Sequence, residues 1–210
     1  MATARLSRDD SKARTRADLI AAARRVFLRR GFHSATLDEI AEEAGYTKGA
    51  VYSNFEGKDD LFLALLAEHH AQRTELYATL IPAQADAEQT YRAIARFMLD
   101  AYAREPAWWP LVSDFSTHAA GNPELNERLR ANREGFLDAL AATIEKLCEQ
   151  HAMTLVLPAR EAARGVGALM RGMAVEWAID PSRADERTFE EMLAAYLRGL
   201  AAPLDERSTA

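Results

Sequence analysis

Between Thr47 and Ser53 the chain carries Lys48, Gly49, Ala50 and Tyr52, side chains suited to meeting a nucleic acid. Lys48 can donate to the O6 and N7 of a guanine, and Gly49 lets another backbone approach closely. Ala50 and Ser53 face the same side and can tune sequence by thymine-methyl contact or hydrogen bonding. Catalytic chemistry has no comparable constellation. The sequence holds no G-x-S-x-G, no Walker loop, no H-E-x-x-H and no Cys/His metal spacing. His69-His70, His118 and His151 are scattered, and Glu68 with His69-His70 reads as a solvated helix edge. The expectation is a chain that is not an enzyme and needs no cofactor or metal.

Those residues need elements that hold them outward. Residues 36–58 predict two short helices broken at Ala44-Gly45-Tyr46. Thr36 caps the first and Glu39 reaches back to it, the capping-box spacing. Leu37, Ile40, Ala41 and Ala44 share one face, and Gly45 supplies the left-handed residue that ends the helix. Thr47 caps the second helix, in which only Val51 and Phe55 are expected to be buried. An outer face that bare is the pattern of a helix-turn-helix, with its motif over 36–55. Thr36 and Thr47 both stand where a hydroxyl, free N–H groups and the helix dipole favour a phosphate.

Residues 14–66 resemble the DNA-binding domain of the tetracycline-repressor (TetR/AcrR) family of bacterial regulators. The resemblance is carried by Ile20-Ala21-Ala22-Ala23, Phe27, Gly31-Phe32, Thr36, Ile40-Ala41, Ala44-Gly45, Lys48-Gly49, Val51-Tyr52, Phe55, Lys58 and Leu61-Phe62, without a gap. It implies that Lys48 and Gly49 touch base edges and that Tyr52 and Lys58 contact the DNA backbone. Ser53-Asn54 departs from the family, where a second aromatic and a histidine are common, so one phosphate contact is expected to be lost or replaced. The resemblance further implies a homodimer on palindromic operator DNA, expected to act as a repressor released by a small effector.

Composition agrees with an all-α chain. The 210 residues are rich in Ala, Leu, Arg and Glu and include only 10 Gly and 7 Pro. The net charge of −6 is unevenly placed: residues 1–35 hold nine basic and three acidic residues, leaving −12 on the other 175. A basic N-terminal segment on an acidic body suits an approach to phosphates. No apolar run nears the roughly 20 residues needed to span a bilayer, and the N-terminus lacks a signal-peptide core. The single Cys148 is read as a helix-packing residue in a reducing cytoplasm, with nucleoid association when the protein is on DNA.

About nine helices are expected. Residues 1–12 are read as a flexible basic arm, 13–60 as the three-helix DNA-binding domain, and 61–210 as an effector-binding and dimerisation domain. The first helix runs from Lys12 to Arg30. The fourth, of about 22 residues, carries Leu61, Phe62, Leu65, Leu66, His69, Arg73, Leu76, Tyr77 and Leu80 at helical spacing, and Ile81-Pro82-Ala83-Gln84-Ala85 breaks the chain. Further helices follow around 91–102, from Pro106 to His118, from Pro123 to Leu147, over 158–179 and over 185–201. In the family, helices four to eight enclose a ligand cavity. The bulky aromatics and thioethers Phe62, Met98, Tyr102, Trp108, Trp109, Phe115, Met170, Met173 and Trp177 are the candidate lining for a lipophilic, partly aromatic effector. A drug-like cation falls in that class; Asp114 and Glu176 lie near the aromatics and could face it, but are read first as solvated. The last two helices are assigned to the dimer interface, as in the family: Gly165, Ala168 and Gly172 form a small-residue stripe, and Phe189, Met192, Leu193, Tyr196, Leu197 and Leu200 an apolar face.

Overall fold

The computed structural model describes residues 7–80, 86–180, 182 and 185–203. The expected breaker at 81–85, most of the basic arm, Pro181 and the side chains of Tyr77 and Leu80 lie outside the described residues. Nine helices and one two-stranded sheet are seen among those described. They are α1 (Arg8–Ser34), α2 (Leu37–Ala44), α3 (Lys48–Tyr52), α4 (Lys58–Leu80), α5 (Ala87–Arg104), α6 (Trp108–Ala120), α7 (Pro123–Gln150), β1 (Met153–Leu155), α8 (Ala159–Ile179), α9 (Glu186–Leu200) and β2 (Ala201–Pro203). Helix α1 begins four residues before the expected start, because Ser7 and Asp10 form a capping box. Residues 8–12 of the expected arm therefore belong to α1. Gly31 at φ 75° breaks α1 internally before its last turn. The antiparallel pairing of β1 with β2 was not expected in an all-α chain.

The chain divides into two compact units, Met1–His69 with Asp114–Asn132, and His70–Ser113 with Arg133–Ala210. In the first unit, Leu19, Ala22, Ala23, Val26 and Phe27 of α1 are buried with Ile40, Val51, Phe55 and Leu61. Phe62 stacks on Phe115 with ring centroids 4.2 Å apart, and both meet Phe32 edge-on at 5.4 and 4.9 Å. Such offset and edge-to-face pairs add to the burial of their large apolar areas. Arg128 pairs with Asp60 at 2.6 Å, and Asn132 donates to the carbonyl of Leu63 at 2.9 Å.

In the second unit α9 packs chiefly on α5. Phe189, Leu193, Leu197 and Leu200 join Tyr91, Ala95, Met98 and Leu99 in one core with Val166, Met170 and Trp177 of α8. Glu88 with Arg198 at 3.0 Å, and Glu190 with Arg96 at 3.3 Å, join the same two helices by ion pairs. Beside that core, Tyr196 of α9 reaches over Gly165. A Cβ at that glycine would lie 1.7 Å from the Tyr196 hydroxyl, so α8 and α9 approach closely only because residue 165 has no side chain.

Candidate functional site

The first unit presents α3 with one side held and the other bare. Gly45 takes φ 74° and its N–H donates to Glu42, while the N–H of Tyr46 reaches the Ala41 carbonyl at 2.9 Å, closing α2 in a Schellman motif. The Tyr46 hydroxyl donates to Asp18 at 2.9 Å, tying the turn to α1. Thr47 caps α3 by accepting from the N–H of Ala50, and Val51 is buried beneath. Behind the helix, Arg16 donates to the Asn54 carbonyl at 3.0 Å and lies 4.3 Å over the Phe55 ring. Sequence reasoning missed Arg16, counting it only as basic charge; its spacing from Phe55 carries no local signal.

Thr47, Lys48, Gly49, Tyr52 and Ser53 are brought together on the exposed side, with Ala50 half-buried among them. Tyr52 is 54% exposed, a large value for an aromatic with no role in packing. At Gly49 a Cβ would meet only Thr47 Oγ1, at an ordinary 3.7 Å. Nothing inside the unit therefore demands glycine there. Lys48 Nζ pairs with Asp38 at 2.9 Å, and this hydrogen bond, then the Asp38 charge, raises its proton affinity. The pair is exposed, so a stronger anion can exchange with Asp38. Ser53 donates to the Ala50 carbonyl at 2.9 Å, so its hydroxyl hydrogen serves the end of α3.

Thr36 is exposed, but both its N–H and its hydroxyl donate to Glu39. That carboxylate is held below its ordinary range, first by the Thr36 backbone N–H. Its charge occupies the helix end where a phosphate was expected, whereas the Thr47 hydroxyl only accepts and keeps its own hydrogen.

Lys58 departs from the expectation. Its Nζ donates to the carbonyls of Phe32, His33 and Ala35 at 2.9, 3.0 and 3.1 Å and lies 4.7 Å over the Phe32 ring. An ammonium has three donors, and all three are used at the end of α1. Lys58 is a strut between α4 and α1 in this arrangement. The basic face of α1 is also partly consumed, since Arg25 and Arg29 bind Glu43 at 2.8 and 3.1 Å and Arg30 approaches Glu39.

The candidate effector residues separate. Met98, Tyr102, Trp109, Met170, Met173 and Trp177 belong to one cluster of the second unit, with Tyr102 and Trp177 edge-to-face at 4.6 Å. Trp108 is buried outside that cluster. Phe62 and Phe115 are corrected outright: they fill the core of the first unit. Asp114 and Glu176 are both exposed, so neither serves a buried cation. His69 is 5% exposed rather than a solvated edge, and His70 stacks on Phe136 at 4.4 Å. Cys148 is buried, which raises its thiol's proton affinity. No group of His, Cys, Asp and Glu that could hold a metal occurs among the described residues, nor does a helix long and apolar enough to cross a membrane.

The dimer-interface residues divide as well. Phe189, Leu193, Leu197 and Leu200 lie in the core of their own unit, with Tyr196 packed beside it and Gly165 spaced against Tyr196. These residues take part in packing within the chain. Ala168, Gly172 and Met192 remain exposed, and Val175 and Ile179, which sequence reasoning overlooked, are 42% and 74% exposed. Residues 168, 172, 175 and 179 form one stripe along α8 at helical spacing.

Residues 19–65 match the bacterial regulatory proteins of the tetR family, and residues 87–202 match the BetI-type transcriptional repressor C-terminal domain. The chain belongs to the TetR family of transcriptional regulators and carries a C-terminal domain of the BetI type. It is 29% identical over 142 residues to the transcriptional activator FasR of Mycolicibacterium smegmatis, covering 68% of this chain and 62% of that protein. Over 192 residues it is 29% identical to the nicotine-responsive repressor HdnoR of Paenarthrobacter nicotinovorans, covering 87% and 93%. The chain spans less than two thirds of the length of FasR and of the Pseudomonas putida repressor NicS. Its fold is similar to that of FadR from Bacillus subtilis in complex with stearoyl-CoA, with TM-score 0.67 and 19% identity over 88% of this chain and 98% of the other.

Proposed function

We propose that the chain is a homodimeric repressor that binds a palindromic operator and leaves it when a small lipophilic effector binds. The observation that carries this reading is the bare side of α3, where an exposed Tyr52, an exchangeable Lys48 and a glycine with no internal reason stand together. In the major groove Lys48 reads a guanine edge, Gly49 admits close approach, and Ala50 with Ser53 tunes the neighbouring bases. Tyr52 and the Thr47 hydroxyl meet the backbone, and Thr36 contributes as the cap of α2.

The first compact unit, including residues 114–132, is the DNA-binding part. The second is the regulatory part. Its aromatic and thioether cluster suits a lipophilic effector, a chemistry supported by a relative named as nicotine-responsive and by a similar fold in complex with stearoyl-CoA. The exposed stripe of α8 with Met192 is the surface on which a second copy packs, an isologous two-fold contact. Coupling between effector and operator is reciprocal: a ligand that prefers the released state weakens operator binding by the same factor. The protein acts in the cytoplasm, on the nucleoid when bound.

A mobility-shift assay with the DNA flanking the protein's own gene tests the reading. A palindromic fragment should be retained, with a steep loss of affinity as salt rises. Lys48→Ala should weaken binding by about tenfold or more at one base position per half-site. Loss spread evenly over all operator variants would move Lys48 to the backbone. No retention of any fragment at low salt would overturn the function.

A further inference from the structure

Among the described residues, two arginines of the second unit have no counter-ion. Arg171 lies on α8 with its Nη1 3.4 Å from the point a Cβ of Gly167 would occupy, so the guanidinium folds back over a glycine one turn earlier. It is half-buried, as is Arg133 on α7. The ion pairs of Arg160 and Arg164 with Glu134, the neighbour of Arg133, hold this stretch of α7 against α8; burial first, and then the charge of Arg133, lower the proton affinity of Arg171. Neither has a hydrogen bond or ion pair among the described residues. The acids beside Arg133 are engaged elsewhere: Asp138 binds Arg160 at 2.6 Å, and Glu134 binds Arg160 and approaches Arg164 at 3.7 Å.

Two like charges held partly out of water without an acid are unfavourable in the free protein. An arginine stays protonated throughout the physiological range, so the strain is relieved only by an anion. The surroundings say what kind. Met170 precedes Arg171 in the buried cluster, and Met173 and Trp177 follow on the same helix. One turn beyond Arg133 stands Phe136, stacked on His70.

We infer that Arg171 and Arg133 receive the anionic headgroup of a lipophilic effector, a carboxylate, sulfate or phosphate ester whose apolar part lies against the Met170–Trp177 side of the cluster. This rests on the regulator reading and fixes the charge of its ligand. It excludes the drug-like cation that the aromatic content alone had allowed.

Decanoate, decyl sulfate, decanol and decyltrimethylammonium, all below micellar concentration, are titrated into the full-length protein while tryptophan fluorescence is followed. Decanoate or decyl sulfate should bind about ten- to a hundredfold more tightly than decanol, the range for a charge-assisted hydrogen-bonded pair. Arg171→Gln and Arg133→Gln should each remove most of that margin, leave decanol affinity unchanged, and keep or raise Tm. Arg171→Lys should retain part of it. Equal binding of the anions and decanol, tighter binding of the ammonium, or Gln variants that keep the margin would each overturn the inference. So would an Arg171→Gln protein that becomes monomeric with the margin intact, since Arg171 would then serve a carboxylate of a second copy. The wild-type comparison needs no variant to fold, and no DNA is present, so its failure is separate from failure of operator binding.

Discussion

Replacing Lys58 with Met keeps the length of the side chain and removes its charge, which makes the strut measurable. Of the three carbonyls it serves, those of Phe32 and Ala35 belong to buried residues and the contacts are partly buried, whereas that of His33 is exposed and regains water. A buried acceptor left without its donor costs about 1–3 kcal/mol; these two, only partly buried, fall at about 1–2 kcal/mol each, or about 2–4 kcal/mol together. Loss of the cation over the Phe32 ring adds about 0.5–1 kcal/mol. If the whole chain unfolds together, at about 2–4 °C per kcal/mol, Tm should fall by roughly 5–20 °C. Calorimetry on the purified variant reads this directly. The same protein, assayed on operator DNA well below its Tm, should keep the wild-type slope of log affinity against log salt. A slope shallower by about 0.9 with Tm unchanged would mean that Lys58 neutralises a phosphate, and the strut argument would fail.

Gly165→Ala should cost about 1–3 kcal/mol by forcing Tyr196 aside, and Tyr196→Phe in the same chain should restore part of it, because the hydroxyl at 1.7 Å is removed while the ring carbon at 2.9 Å stays; a urea titration of the double variant with no recovery would refute this. Ile179→Glu, at a position 74% exposed in one copy, should leave the fold intact and give a monomer by light scattering, whereas Leu197→Glu puts a charge into the α5–α9 core and should unfold the second unit. A folded Ile179→Glu dimer would place the interface elsewhere. Glu39 and Glu43 titrate below the ordinary 4.5, the first through the Thr36 backbone N–H and the second through its hydrogen bond to Arg25. A depressed carboxylate stabilises above its unfolded pKa and loses that contribution as pH falls through the folded value. The urea midpoint should therefore drop on going below about pH 4.5, and less steeply in Glu39→Gln/Glu43→Gln; identical acid profiles would contradict it.

Local chemistry was legible in the sequence where a signal sits within one turn of its effect. The Thr36–Glu39 box, the left-handed Gly45 and the Thr47 cap all stand as the residues require. Partners chosen from far along the chain were not legible. A lysine at a helix start reads as a phosphate donor until the end of α1, 23 to 26 residues earlier, is seen to take all three of its hydrogens. Apolar periodicity in α9 announces a buried face but not its partner, so Leu193 and Leu197 were assigned to a second copy when α5 of the same chain covers them. The three-residue strands are too short for any alternation to register, and β2, Ala-Ala-Pro, follows α9 without a break.

The first unit is discontinuous: residues 114–132 return to it after more than forty residues spent in the other. They bring Phe115 against Phe62, Arg128 to Asp60 and Asn132 to the Leu63 carbonyl. A fragment cut at the usual linear boundary near residue 66 would thus expose an aromatic face and strand an aspartate and a carbonyl. Recombination that exchanges such N-terminal heads between regulators must transplant two segments or redesign a seam. Sensor chimeras built on this chain should graft 1–69 together with 114–132. Homologous sequences should accept foreign heads only where the replacement for Phe62 still fits the ring at 115.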